Sequence, residues 1–417
     1  MPGRVLAIIP LLILIQQPVI AQSAARQDTM VLRAGAPQHA GIGRLVDDGL
    51  TIGQVDGPPE YTLANVLELK LGPRGSIYVL ESPVRGTSSL REYDAKGKFV
   101  RSIGGVGSGP GEFRRAGGVT VASDGSIVLL DPNQNRVNIY GPGGKPVRTF
   151  GLKYDVTLGA WGNLSVNPGG IIALINKPIL TPEQILQGAD RRSIVRVRFN
   201  GTVLDTLVPP QVSGPAFGIA IKRSSRTTVG EQVPYLPRAA WFWSPLGYFV
   251  TGRTDQYAFN LLEPGKPVLR IVREDAVPAP VSEAERNDQR SMRQQHLDAL
   301  PGVQSGNLAE VPRVKPFFNS IGFDADGRIL VIVEGPSERF GPARSDGQAA
   351  RGRQPIPWRQ VLYVDLFETN GTYIGRFALP QGLKFSPTSV RGNRVWAVVR
   401  DEFDVEYVKR FRIEWPR

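Results

Sequence analysis

The chain has 417 residues, with 50 Lys and Arg against 38 Asp and Glu, and its formal net charge at pH 7 is +12. It contains no Cys, which excludes disulfides and the lipid-accepting Cys of a bacterial lipoprotein. Its only histidines are His39 and His296, so a multi-histidine zinc or copper site within one chain is also excluded.

The first 21 residues have the composition of a secretory signal peptide. One Arg precedes an apolar run over residues 5–15, and the small residue Ala21 ends the segment. The alternative is a retained membrane anchor, but the run is shorter than the ~20 residues that a spanning helix needs. We predict cleavage after Ala21, an N-terminal arm over residues 22–47, and a periplasmic or secreted protein without transmembrane anchoring.

A short apolar strand, a glycine turn and a second strand recur along the chain, which is typical of β-hairpins. A second series of six tight turns, from Arg74-Gly75 to Gly392-Asn393, precedes short apolar runs. Repeated four-stranded units of this size indicate the blades of a propeller. The five hairpins of the first series lie at residues 92–104, 139–151, 198–207, 261–272 and 366–379.

The N-terminus supplies the strand that a sixth blade lacks. The chain ends in a strand, residues 407–415, with no residues left for another. Residues 50–53 precede Gly-Pro-Pro-Glu-Tyr, just as residues 101–104 precede Gly-Pro-Gly-Glu-Phe, so the first ordered strand imitates the last strand of a blade. We predict an all-β fold over residues 48–417, a six-bladed β-propeller of four-stranded antiparallel blades. An N-terminal strand that completes the C-terminal blade closes the ring.

Residues 103–151 carry the pattern of one repeat family. A glycine-rich start with Gly-Glu-Phe leads into a strand, Asp-Gly, an apolar strand that ends in Asp131, an Asn-x-Asn-Arg segment and a final glycine turn. This run resembles an NHL repeat, and the chain is similar to the six-bladed NHL propellers of exported bacterial proteins, most of them uncharacterised. The match is close for residues 119–150 and only in outline for most of the chain. The resemblance implies the fold and little about activity.

Strand alternation places the long loops on one face of the ring. In each blade, the turns between the first two and the last two strands share one face, called here the hairpin face. The loops between the second and third strands and the connections between blades share the other, the long-loop face, where we expect binding. The long segments there are residues 178–190, 209–238, 275–316 and 335–357.

Two of these segments carry features of their own. Residues 281–300 predict a helical insertion, with Ser282 as its N-cap and Glu285 as the reciprocal capping partner. Residues 335–357 are rich in Arg, Gly and Pro and predict a flexible loop.

The second strand of each blade ends on the long-loop face, at the mouth of the central channel. An Asp that ends such a strand can bind a ligand, or it can accept hydrogen bonds from the backbone of its own turn. We expect ligand contacts from Glu81, Asp131, Asn176, Arg253, Glu334, Arg400 and Asp401. The oxygen ligands that could hold Ca²⁺, as in six-bladed hydrolases of the lactonase type, are Glu81, Asp131, Asn176 and Glu334.

The sequence favours binding over catalysis. It has no Gly-x-Ser-x-Gly elbow, and no pair of carboxylates stands out by its spacing. We predict a monomeric, non-catalytic propeller without a cofactor that binds a protein, a peptide or an anionic glycan through its long-loop face. The alternative is a Ca²⁺-dependent hydrolase or lyase. The basic excess would suggest nucleic acid in a cytoplasmic protein, but predicted export argues against that partner.

Overall fold

A computed structural model describes most of the chain. The described residues are 28–153, 164–178, 184, 190–212, 219–222, 228–231, 233–298, 310–340 and 357–417. The predicted signal peptide and most of the predicted flexible loop at 335–357 lie outside them.

The strands of the first three blades follow one another along the chain. β1 (Thr29–Arg33) lies in the N-terminal arm, and β2 (Ile42–Ile52) continues from the arm into the predicted propeller. Blade I contains β3 (Val66–Leu71), β4 (Ile77–Glu81), β5 (Ser89–Tyr93) and β6 (Phe99–Ile103). The short pair β7 (Gly105–Val106) and β8 (Glu112–Phe113) leads to blade II, with β9 (Gly118–Val121), β10 (Ile127–Asp131), β11 (Arg136–Tyr140) and β12 (Pro146–Gly151). Blade III contains β13 (Leu164–Val166), β14 (Ile172–Asn176), β15 (Ser193–Val197) and β16 (Val203–Leu207).

The second half of the ring carries insertions. A separate hairpin, β17 (Ile219–Lys222) and β18 (Thr228–Glu231), precedes blade IV, with β19 (Ala239–Trp243), β20 (Phe249–Arg253), β21 (Ala258–Leu262) and β22 (Val268–Val272). Helix α1 (Glu283–Asp298) follows it. Blade V contains β23 (Ser320–Phe323) and β24 (Ile329–Glu334), the inserted pair β25 (Glu338–Arg339) and β26 (Trp358–Arg359), and then β27 (Leu362–Phe367) and β28 (Tyr373–Leu379). Blade VI contains β29 (Lys384–Arg391), β30 (Arg394–Arg400) and β31 (Glu406–Glu414).

The fold is the predicted six-bladed β-propeller of four-stranded antiparallel blades, with the first strand of each blade at the centre. The first strands of neighbouring blades lie side by side, as β3 does with β9 and with β29. Between blades, alternate side chains form apolar layers, such as the one around Phe259, Phe318 and Phe367 that joins blades IV and V. These layers between blades are the core of the ring.

The N-terminal strand closes the ring, as predicted. β2 pairs antiparallel with β31 from Arg44 opposite Glu414 to Ile52 opposite Val408, and so becomes the fourth strand of blade VI. Ile52 is fully buried in the layer between blades VI and I. The sequence did not indicate that the arm also joins other blades. β1 adds a fifth, parallel strand to blade IV, and the start of β2 pairs with β28 of blade V.

The glycine-rich loop at residues 104–111 is a connection between blades. Gly104 has φ +68°, and a Cβ there would lie 2.7 Å from the ring of Phe113. The Glu112 carboxylate accepts a 2.8 Å hydrogen bond from the N–H of Gly109, and the Tyr140 hydroxyl donates to the carbonyl of Gly111. The glycines therefore allow close packing around two aromatic rings.

Helix α1 lies within the predicted insertion. The N–H of Glu285 donates a 3.1 Å hydrogen bond to the hydroxyl of Ser282, as the predicted N-cap requires. The Glu285 carboxylate, predicted to return a hydrogen bond to the backbone of Ser282, accepts hydrogen bonds from Tyr235 and Ser337 in other loops instead. In the described part of the chain, no helix is both long and apolar enough to cross a membrane.

Candidate functional site

The predicted contact residues share one position in the fold but not one environment. In every blade the second strand ends with one of them, and Asp401 follows the last. These residues are Glu81, Asp131, Asn176, Arg253, Glu334 and Arg400. All seven lie on the long-loop face, and the partners of their side chains decide which of them a ligand can engage.

Glu81 and Asp131 are fully buried and bind groups of their own blades. Glu81 forms a 2.8 Å ion pair with Arg91 and accepts a 2.7 Å hydrogen bond from the hydroxyl of Ser89. Asp131 accepts hydrogen bonds from backbone N–H groups, as the turn interpretation predicts. These donors belong to Arg114, Asn133 and Gln134.

Four of the other five residues also bind groups of their own loops or strands. The amide of Asn176 donates to the hydroxyl of Ser193, and Arg253 forms an ion pair with Asp255. Arg400 donates to Glu406, and Asp401 accepts from the backbone of its own turn. Their visible contacts stabilise loops of the long-loop face.

No three His, Cys, Asp or Glu side chains within the described ranges are arranged to hold a metal ion. Glu81, Asp131 and Glu334 each find their partners in a different part of the ring. These contacts give no support to the Ca²⁺ site predicted for these three residues and Asn176, which stays a prediction.

Glu334 differs because it lies beside a cavity of about 270 Å³. The cavity, called here the Glu334 cavity, lies between the connections that lead into blades IV and V, so it belongs to the long-loop face. Its lining combines apolar side chains with polar and charged ones in similar measure. Its described lining residues are Val233, Pro234, Tyr235, Leu236, Arg238, Pro316, Phe318, Asn319 and Glu334.

The two carboxylate oxygens of Glu334 are in unequal environments. Oε1 accepts a 2.7 Å hydrogen bond from the amide of Asn319. Oε2 is buried and accepts no hydrogen bond from any described residue, although the ammonium group of Lys315 lies 3.8 Å away. A buried acceptor without a donor is unfavourable by roughly 1–3 kcal/mol. Oε2 therefore depends on the charge of Lys315 for its stabilisation.

Lys315 lies behind the cavity with its ammonium group fully buried. It donates to the carbonyl of Gly335 at 2.7 Å, to the hydroxyl of Ser337 at 2.8 Å and to the side chain of Gln360. Burial lowers the pKa of Lys315, and the carboxylates of Glu334 and Glu285 oppose that shift. Three acceptors for three N–H groups match the ammonium form.

Tyr235 links the cavity wall to helix α1. Its hydroxyl donates a 2.6 Å hydrogen bond to Glu285 and accepts one from the amide of Gln360. Burial is the main cause that raises the pKa of Tyr235, so it remains a neutral donor. Its φ of +63° is in the left-handed region, which is uncommon for a bulky residue. Packing and hydrogen bonds therefore hold this residue in a specific conformation.

Sequence reasoning found Glu334 but missed its neighbours. Lys315 and Arg238 are long cationic side chains, which are exposed in most proteins, and each stands in an irregular connection. Arg238 donates to both the backbone and the side-chain oxygen of Asn319. The only sequence feature that could have pointed to this cavity is near Tyr235, where Pro234 and Pro237 flank an aromatic residue.

A second cavity, of about 500 Å³, opens on the hairpin face and was not expected from the sequence. Turns and first strands of all six blades contribute to its lining. Its charged lining residues are all paired: Arg391 and Asp326 pair with each other at 3.3 Å, and Lys70 and Asp324 pair with Glu68 and Arg328 beside the cavity. This pairing makes the hairpin face a weaker candidate than the Glu334 cavity.

Comparison with known proteins supports the fold. A family model described as DUF5128, a 6-bladed beta-propeller, matches residues 73–158. A member of the DUF4221 family from Bacteroides vulgatus aligns with a TM-score of 0.51 and 12% identity, covering 91% of this chain and 100% of that one. No curated protein matches the chain. At such low identity the structural likeness carries the fold alone.

Two further structures align less well. A Bacteroides fragilis protein inferred to be exported has a TM-score of 0.46 and 14% identity, covering 93% of this chain and 99% of its own. A catalytically inactive variant of virginiamycin B lyase from Staphylococcus aureus, solved with Quinupristin, has a TM-score of 0.39 and 8% identity, covering 87% of this chain and 98% of its own. Neither likeness is used to assign a function.

Proposed function

We propose that this protein is a non-catalytic propeller that binds its ligand in the Glu334 cavity on the long-loop face. One observation carries the proposal: a cavity of about 270 Å³ on this face is lined both by apolar side chains and by the polar side chains of Arg238, Asn319 and Glu334. A ligand with an apolar part and a hydrogen-bonding part would match both kinds of lining.

The neighbouring groups favour binding over acid–base catalysis. A catalytic acid or base works best with a pKa near the working pH. The pKa of Tyr235 is raised by burial, and its hydroxyl already has a donor and an acceptor. The ammonium group of Lys315 has an acceptor for each N–H. These groups therefore suit a rigid frame better than proton transfer.

Several expectations from the sequence remain part of this proposal. They are the NHL-type kinship of residues 103–151, export to the periplasm or the medium, a monomeric state, and a protein, peptide or anionic glycan as partner. No cofactor is included.

The absence of Cys permits a direct binding test of the mature chain, residues 22–417. Val314, two residues before the lining residue Pro316, is 47% exposed, and Val100 is equally exposed on the outer strand of blade I. Each is changed to Cys in a separate variant and labelled with acrylodan. The defined panel contains N-acetyl amino acid methyl esters, random hexapeptides and sulfated oligosaccharides. We expect at least one member to give a saturable fluorescence change at Val314→Cys and none at Val100→Cys.

A blocking variant tests whether the signal comes from the cavity. Leu236→Trp places a large side chain in the lining and should abolish the change at position 314. Circular dichroism and thermal melting report whether the blocked protein is folded. The proposal is wrong if no panel member binds, or if a folded Leu236→Trp variant binds as well as the parent.

A further inference from the structure

The cavity of about 500 Å³ on the hairpin face, called here the axial cavity, is a second candidate binding site. Residues of all six blades line it, so it lies on the axis of the ring. Its volume is within the range of roughly 300–1,000 Å³ that is usual for ligand pockets. The axial cavity therefore has room for a small molecule, such as one with a single six-membered ring.

The turns around the axial cavity are held in one conformation by their own hydrogen bonds. In five blades, the N–H of the first turn residue donates to the carbonyl four residues later, at distances between 2.8 and 3.0 Å. These turns begin at Gly72, Ala122, Asn167, Ser244 and Asp324. A pocket that is formed before binding loses little conformational entropy when a ligand enters. The hairpin face thus offers a rigid site.

The charged residues that line the axial cavity each have a partner of opposite charge. The pairs are Lys70 with Glu68 at 2.9 Å, Asp324 with Arg328 at 2.7 Å, and Arg391 with Asp326 at 3.3 Å. Lys70 also donates to the hydroxyl of Thr388, and Arg391 donates to the carbonyl of Gly72.

The remaining charges of these turns do not change this balance. Arg74 and Asp124 are exposed, have opposite charges and lie outside the lining. A charged ligand would lose part of its hydration in the axial cavity without meeting a free countercharge. The pairing therefore favours an uncharged ligand.

Uncharged polar side chains of blades II and III supply hydrogen-bonding groups. The hydroxyls of Thr120, Ser123 and Ser165 line the cavity and bond to no described residue. Asn167 uses only its amide oxygen, which accepts a 2.8 Å hydrogen bond from the N–H of Ile171. These residues are half-buried or exposed, and their free polar atoms are not among the buried ones without a partner. A ligand in the axial cavity can therefore contact them.

Aliphatic side chains form much of the rest of the lining. Leu71, Leu164 and Leu246 belong to it, and Leu246 packs so closely on Gly327 that a Cβ there would lie 2.8 Å from Leu246 Cδ1. None of the described lining residues is aromatic, so a flat aromatic ligand would gain no ring contact. Hydroxyls next to aliphatic groups match a molecule in which hydroxyls and C–H groups alternate, as they do in a sugar.

We infer that the axial cavity is a second binding site and that its ligand is an uncharged monosaccharide. The hydroxyls of Thr120 and Ser165 can both donate and accept, and the amide of Asn167 donates, so together they suit sugar hydroxyls. The paired charges select against uronic acids and amino sugars. This site goes beyond the proposed function and does not depend on it.

Calorimetric titration of the mature chain, residues 22–417, tests the ligand class. The probes are D-glucose and D-galactose, with the uronic acid and the 2-amino sugar of each as matched charged compounds. We expect at least one neutral sugar to bind with a Kd of about 1 mM or tighter, and its charged counterparts to bind at least tenfold more weakly. The inference is wrong if neither neutral sugar binds, or if a charged counterpart binds as tightly.

Single substitutions locate the bound sugar. Thr120→Val replaces a hydroxyl with a methyl group of similar size, and Ser165→Ala removes a hydroxyl. Each should weaken binding about three- to tenfold, because it removes one neutral hydrogen bond. The matched control is Thr206→Val, on the outer strand of blade III and outside the lining, which should leave the affinity unchanged.

Thermal melting shows whether the three variants are folded. If Thr120→Val does not fold, Ser165→Ala against Thr206→Val becomes the deciding comparison. Unchanged affinity in folded variants of both lining residues would overturn the inference.

The blocking variant Leu236→Trp separates this site from the Glu334 cavity, and it should leave sugar binding unchanged. If it abolishes sugar binding while Thr120→Val does not, the sugar binds in the Glu334 cavity and the inference is wrong. If no sugar binds but the label at Val314→Cys responds to its panel, the inference is wrong and the proposed function stands. If a sugar binds in the axial cavity and that label never responds, the inference stands and the proposed function is wrong.

Discussion

The hydroxyl of Tyr257 donates a 2.5 Å hydrogen bond to Oδ2 of Asp365, and this contact joins blade IV to blade V. Asp365 is fully buried and also accepts hydrogen bonds from Tyr373, Arg273 and Arg376. Burial, and after it the charge of Asp365, raises the pKa of Tyr257 well above its ordinary value. The tyrosine therefore remains a donor, and the buried carboxylate has partners on all sides.

Tyr257→Phe should destabilise the protein because it removes one donor from the buried carboxylate of Asp365. The expected loss in free energy of unfolding is about 1–3 kcal/mol, measured by urea titration. The matched control is Tyr363→Phe, since the Tyr363 hydroxyl forms no hydrogen bond with a described residue, and it should change stability by less than about 0.5 kcal/mol. Equal effects of the two changes would contradict the importance of the Tyr257–Asp365 contact.

Deleting the closing strand should weaken the whole ring. A chain of residues 56–417 lacks β2, including Leu50 and Ile52, which are 6% and 0% exposed. The loss of two buried aliphatic side chains alone costs about 3–6 kcal/mol, and β31 loses its outer partner. Thermal melting would show this, with residues 34–417 as the control that lacks only β1. If residues 56–417 melt like the control, strand closure is not what stabilises blade VI.

Acid should remove the contribution of Asp47 to ring closure. A hydrogen bond from the N–H of Gly49, followed by one from Lys409 of β31, lowers the pKa of Asp47 below its ordinary value of 3.8. A lowered pKa stabilises the folded state above the unfolded value, and this stability is lost as the pH falls through the folded value. Because the side chain is 43% exposed, the effect at pH 7 should be below about 1 kcal/mol.

The measurement for Asp47 compares the parent chain with Asp47→Asn by urea unfolding from pH 7 to pH 3. The parent should exceed the variant in free energy of unfolding by its full amount at pH 7, and this difference should shrink below about pH 4. Asp56→Asn, in the exposed loop after β2, should leave stability at pH 7 unchanged. A difference that persists undiminished at pH 3 would show that Asp47 acts through something other than its charge.

Alkali should destabilise the protein through its buried tyrosines. Burial is the main cause that raises the pKa of Tyr78 and of Tyr93 to about 12. Because folding raises the pKa, the contribution of each tyrosine to stability is complete below the pKa of the unfolded chain, about 10. That contribution is lost as the pH rises toward 12. Each such tyrosine contributes a slope of about 1.4 kcal/mol per pH unit in that window.

Urea unfolding between pH 10 and pH 12, with tyrosinate absorbance at 295 nm, checks this prediction. Tyr93→Phe should reduce the slope by the contribution of one tyrosine, and Tyr78→Phe should act in the same way. A slope that is unchanged in both variants would mean that these hydroxyls ionise equally in the folded and unfolded chain.

Gly104→Ala tests whether the loop at residues 104–111 is a structural connection. A Cβ at Gly104 would lie 2.8 Å from the carbonyl oxygen of Gly111, and its φ of +68° disfavours any L side chain. We expect a loss of about 2–4 kcal/mol from the combined backbone and packing strain. Gly105→Ala is the matched control, because a Cβ at Gly105 would have nothing within 4 Å. Similar stability of the two variants would remove the packing argument.

The sequence predicted the architecture because a repeated pattern is a local signal. Glycine turns and apolar strands recur in every blade, so the blades could be counted and the closing strand located from the order of residues alone. The same periodicity placed Glu81, Asp131 and Glu334 at one equivalent position. Helix α1 was predicted because its cap, Ser282, lies next to it in the chain.

The arm and the Glu334 cavity could not be predicted in this way. β1 pairs with β22, far along the chain, through backbone bonds that need no particular side chains. The partners of Tyr235 and Lys315 include Gln360, which is 125 and 45 residues away, respectively. Such contacts leave no spacing rule in a single sequence.

What the sequence by itself determined is the propeller and the face on which its long loops lie, because local turn geometry and strand alternation decide both. Only the tertiary structure decided which strand end is available to a ligand. Glu81 and Asp131 find donors close to them in the chain, whereas Glu334 lines the cavity formed by two inter-blade connections. Whether a strand-end carboxylate lines a cavity therefore depends on segments that are distant in the chain and that folding brings together, such as residues 233–238 beside Glu334.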